Sequence, residues 1–393
     1  MIVRGAVLRE MGLPAPYAAS RPLRIEEVEL APPGPGELLV RIRAAGLCHS
    51  DLSVIDGSRP RVMPMLLGHE ATGEVIVSEA PGFAAGDVVA CAFVPACGTC
   101  GPCAEGRPAL CEPGASANTA GTLLAGTSRL SSPQDRPGGG SAAAHPSGGG
   151  SAAGRRPAGL HHHLGVSGFA DHAVISAHSA VKIDPSLRPE IAALFGCAVM
   201  TGVGAVVNTA QVRAGRSAVI FGLGGVGLSA LLGAVLVGAH PIVAVDVVPE
   251  KLELALELGA TYAVDAAEGV EPVRAATSGG ADYAFETVGS AKVLEQAYAA
   301  TRRGGTTVTV GLPHPSQSFS VPAVSLVAEE RTVKGSYLGS SVPSRDIPRY
   351  VALYRAGRLP VDRLLTATVG LDDLNQAFDD LAAGTSIRQV LLF

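Results

Sequence analysis

The sequence predicts an α/β protein in two parts, with a largely β portion joined to a doubly wound parallel sheet. Three observations carry this. The chain has 393 residues, too many for one hydrophobic core. Its first hundred residues break into short strand-like runs, whereas strand and helix patterns alternate from about residue 190. At 47% hydrophobic and 17% charged residues, it has the composition of a globular chain.

The β portion reads as "LLVRIRAAG", "ATGEVIVSEA" and "GDVVACAFV", separated by Pro and Gly clusters. In the second portion "SAVIFG" and "PIVAVD" are strands, with "VGLSALLGAVLVG" helical between them. "PEKLELALELGA" follows as a helix with Pro249 at its start. "ADYAFETVG" and "TTVTVGL" are further strands, flanking the helix "AKVLEQAYAATRRG". Such alternation builds βαβ units. Beyond residue 340 it weakens to a helical "LDDLNQAFDDLAAG" and a final strand, "RQVLLF". The segment 131–160 differs in kind: "GGGSAAA" at 138–144 recurs as "GGGSAAG" at 148–154. This composition buries too little to offset its ordering entropy and predicts a flexible surface insertion.

Composition also excludes function classes. The net charge is −5, from 35 acidic and 30 basic residues, with no concentrated basic block, so neither nucleic acid nor an anionic membrane is an expected partner. From Ser217 to Val245 there is no Asp, Glu, Lys or Arg, long enough to span a bilayer. Gly222, Gly224, Gly225 and Gly227 and the later "GAHP" cut the run into strand, turn, helix and strand. The opening "MIVRGAVLRE" has no apolar run of signal-peptide length, and a cytoplasmic enzyme is expected.

Two motifs carry chemistry. "CGTCGPCAEGRPALC" places Cys97, Cys100, Cys103 and Cys111 at spacings of two, two and seven intervening residues. Four thiolates in one loop suit tetrahedral zinc. Disulfides and an iron–sulfur cluster are the competing readings, the first disfavoured in a reducing compartment. Four protein ligands close the coordination sphere, so this zinc is structural. The second motif is "GLGGVG" at 222–227, between a strand and a helix, the context a dinucleotide-binding Rossmann turn requires. Gly222 allows the tight turn, Gly224 lets backbone approach a pyrophosphate, and Gly227 permits close helix–strand packing, with Gly225 and Val226 opening the helix. Asp246 ends the next strand, 19 positions after Gly227. There a carboxylate binds ribose hydroxyls and repels a 2′-phosphate, which points to NAD rather than NADP.

These motifs, with "GLCHSD", "GHEATGEV", "GTLLAGTSRL", "HHHLGVSGFADHAV", "LFGCAVMTGVGAV" and "SIRQVLLF" in that order, resemble the zinc-dependent medium-chain alcohol dehydrogenases, in particular the liver-type and formaldehyde-dehydrogenase-like branch. The resemblance covers all but the Gly/Ser/Ala insertion. It implies a GroES-like catalytic domain at 1–197 and 338–393 around a Rossmann domain at 198–337. Two zinc ions per chain, an alcohol or aldehyde substrate and a homodimer or homotetramer are implied as well. By the same resemblance Cys48, His69 and Cys197 hold the catalytic zinc, with Asp51 orienting the histidine and Glu70 behind the metal. Zinc with an open position lowers the pKa of an alcohol, and the hydride passes to nicotinamide.

The resemblance also places Lys251 at the adenosine ribose, Thr201 and Val226 behind the nicotinamide, and Arg388 and His49 at the phosphates. Ser50 takes the alcohol proton. The family's relay ends on a histidine three residues on, where this chain has Ser53, which is not a base near neutral pH, so either water completes the path or His49 substitutes. Glutathione-dependent formaldehyde dehydrogenases carry an arginine where this chain has Ala115, which disfavours a thiol-adduct formaldehyde dehydrogenase or S-nitrosothiol reductase. Arg155 and Arg156 in the inserted segment are the candidate substitutes, but a flexible loop is a poor clamp. A non-catalytic cofactor-binding protein is a further alternative, opposed by the intact ligands. "HHHLG" cannot place three adjacent histidines on one ion, because neighbours on a strand alternate faces; His163 and Leu164 are expected to line the substrate pocket. Cys91 is expected in the core.

Overall fold

Six parallel strands, in the spatial order Tyr262–Asp265, Ile242–Asp246, Ala218–Phe221, Ala281–Glu286, Thr301–Thr309 and Thr332–Gly335, form one sheet in the computed structural model, which describes residues 1–133 and 159–393. The chain enters at the centre, winds to one edge, then returns and winds to the other. The switch in direction falls between the carboxyl ends of Ala218–Phe221 and Ala281–Glu286, where such sheets open a crevice. Phe221 pairs with Val245 on one side and Glu286 on the other. The central strand is buried on both faces, as a continuous β-branched and aromatic run requires.

The uncharged stretch resolves into a strand, the glycine turn, the helix Gly225–Leu236 and a second strand. That helix buries nine of its 12 residues, which explains an apolar surface on every side. Among the described residues no single helix is long and apolar enough to cross a membrane.

The remaining strands make two further sheets. One is built on Ile2–Leu8, which pairs antiparallel with Leu23–Leu30 and with Met65–Leu66. The other is built on Glu37–Gly46, which pairs with Glu70–Ser78, His172–Ser176 and the terminal strand Arg388–Leu392. Gly46 sits opposite Glu70 on one side and Val390 on the other. This juxtaposition gathers Cys48, Glu70 and Arg388 from three distant parts of the chain.

Two expectations are corrected. "TRRG" opens the strand Thr301–Thr309 instead of ending the preceding helix, which stops at Ala300. Past residue 340 a helix, Pro343–Arg355, turns Ile347, Tyr350 and Val351 inward. Its two prolines hide it from pattern reading, yet Pro343 occupies the first turn, where a missing N–H costs nothing. The repeat at 138–154 lies outside the described residues.

Candidate active site

The helix His49–Ile55 begins at Cys48, whose sulfur accepts a hydrogen bond from the Ser50 amide at 3.5 Å. His69 immediately precedes the strand Glu70–Ser78, and Cys197 lies at the break between a 3-10 turn, Ala193–Gly196, and the helix Ala198–Gly204. Three separate elements thus deliver two sulfurs and an imidazole nitrogen to one point. These atoms, with a Glu70 carboxylate oxygen, lie within 4.8 Å of one another.

The donor set fits zinc. Asp51, wholly buried, lies 3.2 Å from His69 Nδ1 and fixes the tautomer that leaves Nε2 bare. Nε2 is buried without a hydrogen-bond partner among the described residues, a costly arrangement that a cation would relieve. The Cys197 thiol, donating to Cys48, draws Cys48 well below the ordinary thiol range against burial, with His69 helping. Cys197, the donor, is pushed well above that range, first by Cys48 and then by burial. Burial disfavours a charged His69, but the Asp51 charge and hydrogen bond overcome it and raise His69 to about 10. Glu70 places Oε1 3.7 Å from His69 Nε2, while its other oxygen pairs with Arg388.

The four-cysteine loop forms a second constellation. Its sulfurs also lie within 4.8 Å of one another, and none is in a disulfide. Backbone amides point at them: Thr99 and Cys100 donate to Cys97 at 3.4 and 3.3 Å, and Cys97 and Gly114 donate to Cys111 at 3.2 and 3.3 Å. The Thr99 and Cys100 amides hold Cys97 at about 6, whereas burial pushes Cys103 up to about 12. Such N–H to sulfur bonds stabilise thiolates around a metal. The same loop carries Arg107, Ala109 and Leu110 into the wall of an apolar chamber, so the brace also shapes the space beside the active site.

On the dinucleotide side, Gly222 adopts φ +90°, and a Cβ on Gly227 would collide with the Gly222 carbonyl. Asp246 closes this turn, accepting from the Leu223 amide at 2.6 Å and from Val247 and Val248 at 2.8 and 3.0 Å. Arg388 is buried and packs against Gly225 at the helix start. Lys251 lies in the first turn of Pro249–Glu257. Burial lowers His49 below the ordinary imidazole value, and the Arg388 and Lys251 cations nearby push the same way, opposed by Cys48. Thr201, whose buried hydroxyl has no hydrogen-bond partner among the described residues, lines with Val226 the cleft that reaches Cys48 and Cys197.

That cleft, about 270 Å³, adjoins the apolar chamber of about 440 Å³, with Leu312 and Tyr337 in the walls of both. Phe93 stands edge-on to His69 at 5.7 Å and to Tyr337 at 5.8 Å. Arg59 crosses the mouth to donate to the Leu312 carbonyl at 3.3 Å. Phe93, Arg59, Leu312 and Tyr337 belong to no motif, and only the fold brings them together. One expectation fails here: His163 does not line the cleft but is buried with its Nδ1 3.0 Å from Asp51. Cys91 is buried in the core, where desolvation pushes it up to about 12.

Residues 34–185 match the alcohol dehydrogenase GroES-like domain and residues 225–356 the zinc-binding dehydrogenase domain. An NDMA-dependent alcohol dehydrogenase of Amycolatopsis methanolica is 39% identical over 384 residues, 96% of this chain and 97% of the relative. A crystal structure of an alcohol dehydrogenase zinc-binding domain protein from Burkholderia ambifaria superposes with a TM-score of 0.88 at 36% identity, covering 100% of this chain and 99% of that one. Benzyl alcohol dehydrogenase from Acinetobacter calcoaceticus gives 0.87 at 29% identity with the same coverage. Likeness along nearly the whole length, on both sides of the cleft, means that the chain belongs to the zinc-dependent medium-chain alcohol dehydrogenase family.

Proposed function

We propose that this alcohol dehydrogenase is NAD-dependent, holds two zinc ions per chain and interconverts a small-molecule alcohol with its aldehyde or ketone. The observation that carries the reading is the convergence of Cys48, Cys197 and the unpartnered His69 Nε2 beside a cleft that ends at the glycine turn.

Cys48, His69 and Cys197 hold the catalytic zinc, and Cys97, Cys100, Cys103 and Cys111 hold the structural one. When bound, the catalytic zinc supplies Lewis-acid activation of the hydroxyl, and NAD supplies the hydride acceptor. The residues do the rest. Asp51 keeps His69 in the ligating tautomer. Gly224 leaves open space for a pyrophosphate, with Arg388 and Lys251 as cations nearby and His49 beside them. Asp246 offers a carboxylate to ribose hydroxyls and repels a 2′-phosphate, and Thr201 and Val226 back the nicotinamide ring. Ser50 Oγ accepts the substrate proton. Ser53 donates its own hydroxyl to the Ser50 carbonyl at 3.1 Å, and with no base there the proton leaves through water.

Phe93, Tyr337 and Leu312 favour an apolar or aromatic alcohol, in keeping with the similarity to benzyl alcohol dehydrogenase. Ala115 lies exposed on the helix Glu112–Ala120 and offers no cation to a thiol adduct, which argues against the formaldehyde-dehydrogenase branch; Arg155 and Arg156 lie outside the described residues. The open edge strand Thr332–Gly335 and the exposed Val324 and Val327 beside it support association through this sheet into a homodimer or homotetramer.

The test is NADH formation by zinc-loaded protein on aliphatic, allylic and benzylic alcohols, beside formaldehyde with low-molecular-weight thiols. Turnover of free alcohols with NAD is expected, and turnover of formaldehyde only with a thiol would overturn the ranking. A second reading rests on the 39% identical Amycolatopsis relative: turnover that requires added NDMA. The same panel run with and without NDMA separates the two.

A further inference from the structure

Asp51 serves two imidazoles. Its Oδ1 lies 3.2 Å from His69 Nδ1 and 3.0 Å from His163 Nδ1, and it also accepts from the Gly68 amide at 3.2 Å. The two rings meet edge to face, 5.4 Å apart at 88°. None of the three side chains is more than 1% exposed. His163 Nδ1 meets no full hydrogen-bond geometry among the described residues, and the Asp51 carboxylate 3.0 Å away is the charged group it faces. A carboxylate buried this deeply needs several donors to stay charged and fixed. Burial lowers His163 below the ordinary imidazole value, against the pull of Asp51.

We propose that His163 is a positioning residue for the catalytic metal: its Nδ1–H shares the Asp51 carboxylate with His69 and fixes the plane in which His69 presents Nε2. The proposal rests on the zinc reading of Cys48, His69 and Cys197. It gives the third histidine of "HHHLG" a task behind the metal ligand His69.

The experiment is zinc competition against a colorimetric chelator, with zinc content per chain measured throughout. Wild-type protein is expected to hold two zinc ions. His163→Phe should release one of them at about 10- to 100-fold lower chelator concentration, the usual effect of removing a partner behind a metal ligand, and hold the other unchanged. His163→Gln, which restores an N–H donor, should recover part of that loss and supplies the comparison if the Phe variant does not fold. Equal retention of both ions by wild type and variants would overturn the proposal, as would equal weakening of both sites in both variants. A wild-type protein with one zinc, unaffected by Cys48→Ser, would instead overturn the zinc reading beneath it.

Discussion

The Leu223 amide donates to Asp246 Oδ2 across 2.6 Å, so the carboxylate that ends one strand ties down the glycine turn that ends its neighbour. Asp246 therefore holds the turn itself, in addition to the proposed role at the cofactor ribose. Asp246→Ala should weaken NAD binding by about 10- to 100-fold, the range for losing hydrogen bonds to a charged group. Wild type should prefer NAD, and NADP should gain relative to NAD in the variant. Cofactor titration by fluorescence measures both constants. Unchanged discrimination would remove Asp246 from the ribose site.

Gly224 and Gly227, three positions apart in the glycine turn, do opposite things. Gly224 has an ordinary φ of −74° and nothing within 4 Å of an added Cβ, so Gly224→Ala should leave the thermal midpoint within about 2 °C while sharply weakening cofactor binding. At Gly227 an added Cβ meets the Gly222 carbonyl and, at 2.8 Å, the Thr287 hydroxyl. Gly227→Ala should lower stability by several kcal/mol, a ~10 °C fall or more. Calorimetry with and without NAD distinguishes them: the first variant loses the cofactor-induced shift, the second loses the fold beneath it.

The cysteine loop offers a cleaner separation of fold and chemistry. Cys103→Ala should cost one zinc per chain and leave the zinc at Cys48 in place. Its effect on catalysis should come through the chamber wall formed by Ala109 and Leu110, raising KM for bulky alcohols more than for ethanol-sized ones. Metal analysis beside kinetics on two alcohols checks this. Loss of both zincs would show that the loop supports the whole domain.

The ease with which each part is read depends on how locally its physics is written. The thiolate spacing of Cys97, Cys100, Cys103 and Cys111 and the glycines of 222–227 act within one turn of backbone, so sequence alone locates them. Cys48, His69 and Cys197 are far apart in the chain, and they are recognised only through family resemblance. His163 is the instructive failure. Its neighbours in "HHHLG" suggest a pocket wall, but the partner that defines it, Asp51, stands 112 positions earlier, and no local pattern encodes that meeting. Phe93 and Tyr337 are hidden for the same reason. The helix Pro343–Arg355 is obscured differently, by prolines that pattern reading takes as breaks: Pro343 sits in the first turn, which tolerates it, and Pro348 lies inside the helix.

A pH-dependent stability follows from Asp282, which fastens three strands at their starts. Its Oδ2 accepts from the Ser217 amide and hydroxyl at 2.9 and 2.8 Å, and its Oδ1 meets Arg302 at 2.5 Å and Arg216 at 3.3 Å. Burial works to raise this carboxyl, but the Ser217 donors and Arg302 prevail and lower it below the ordinary aspartate value. A lowered carboxylate stabilises the folded state above the unfolded-state value, near 3.9, and that stabilisation is lost as pH falls through the folded value. Asp282→Asn keeps the shape, loses the charge and turns an N–H₂ toward donors that need an acceptor. It should destabilise by about 1–2 kcal/mol at pH 7. The gap to wild type should stay constant from pH 7 down to about 5 and shrink below about 4, as the wild-type carboxyl takes up its proton. Urea unfolding of both proteins across that range measures it. A gap that widens on acidification would mean that the carboxylate is not the stabilising form.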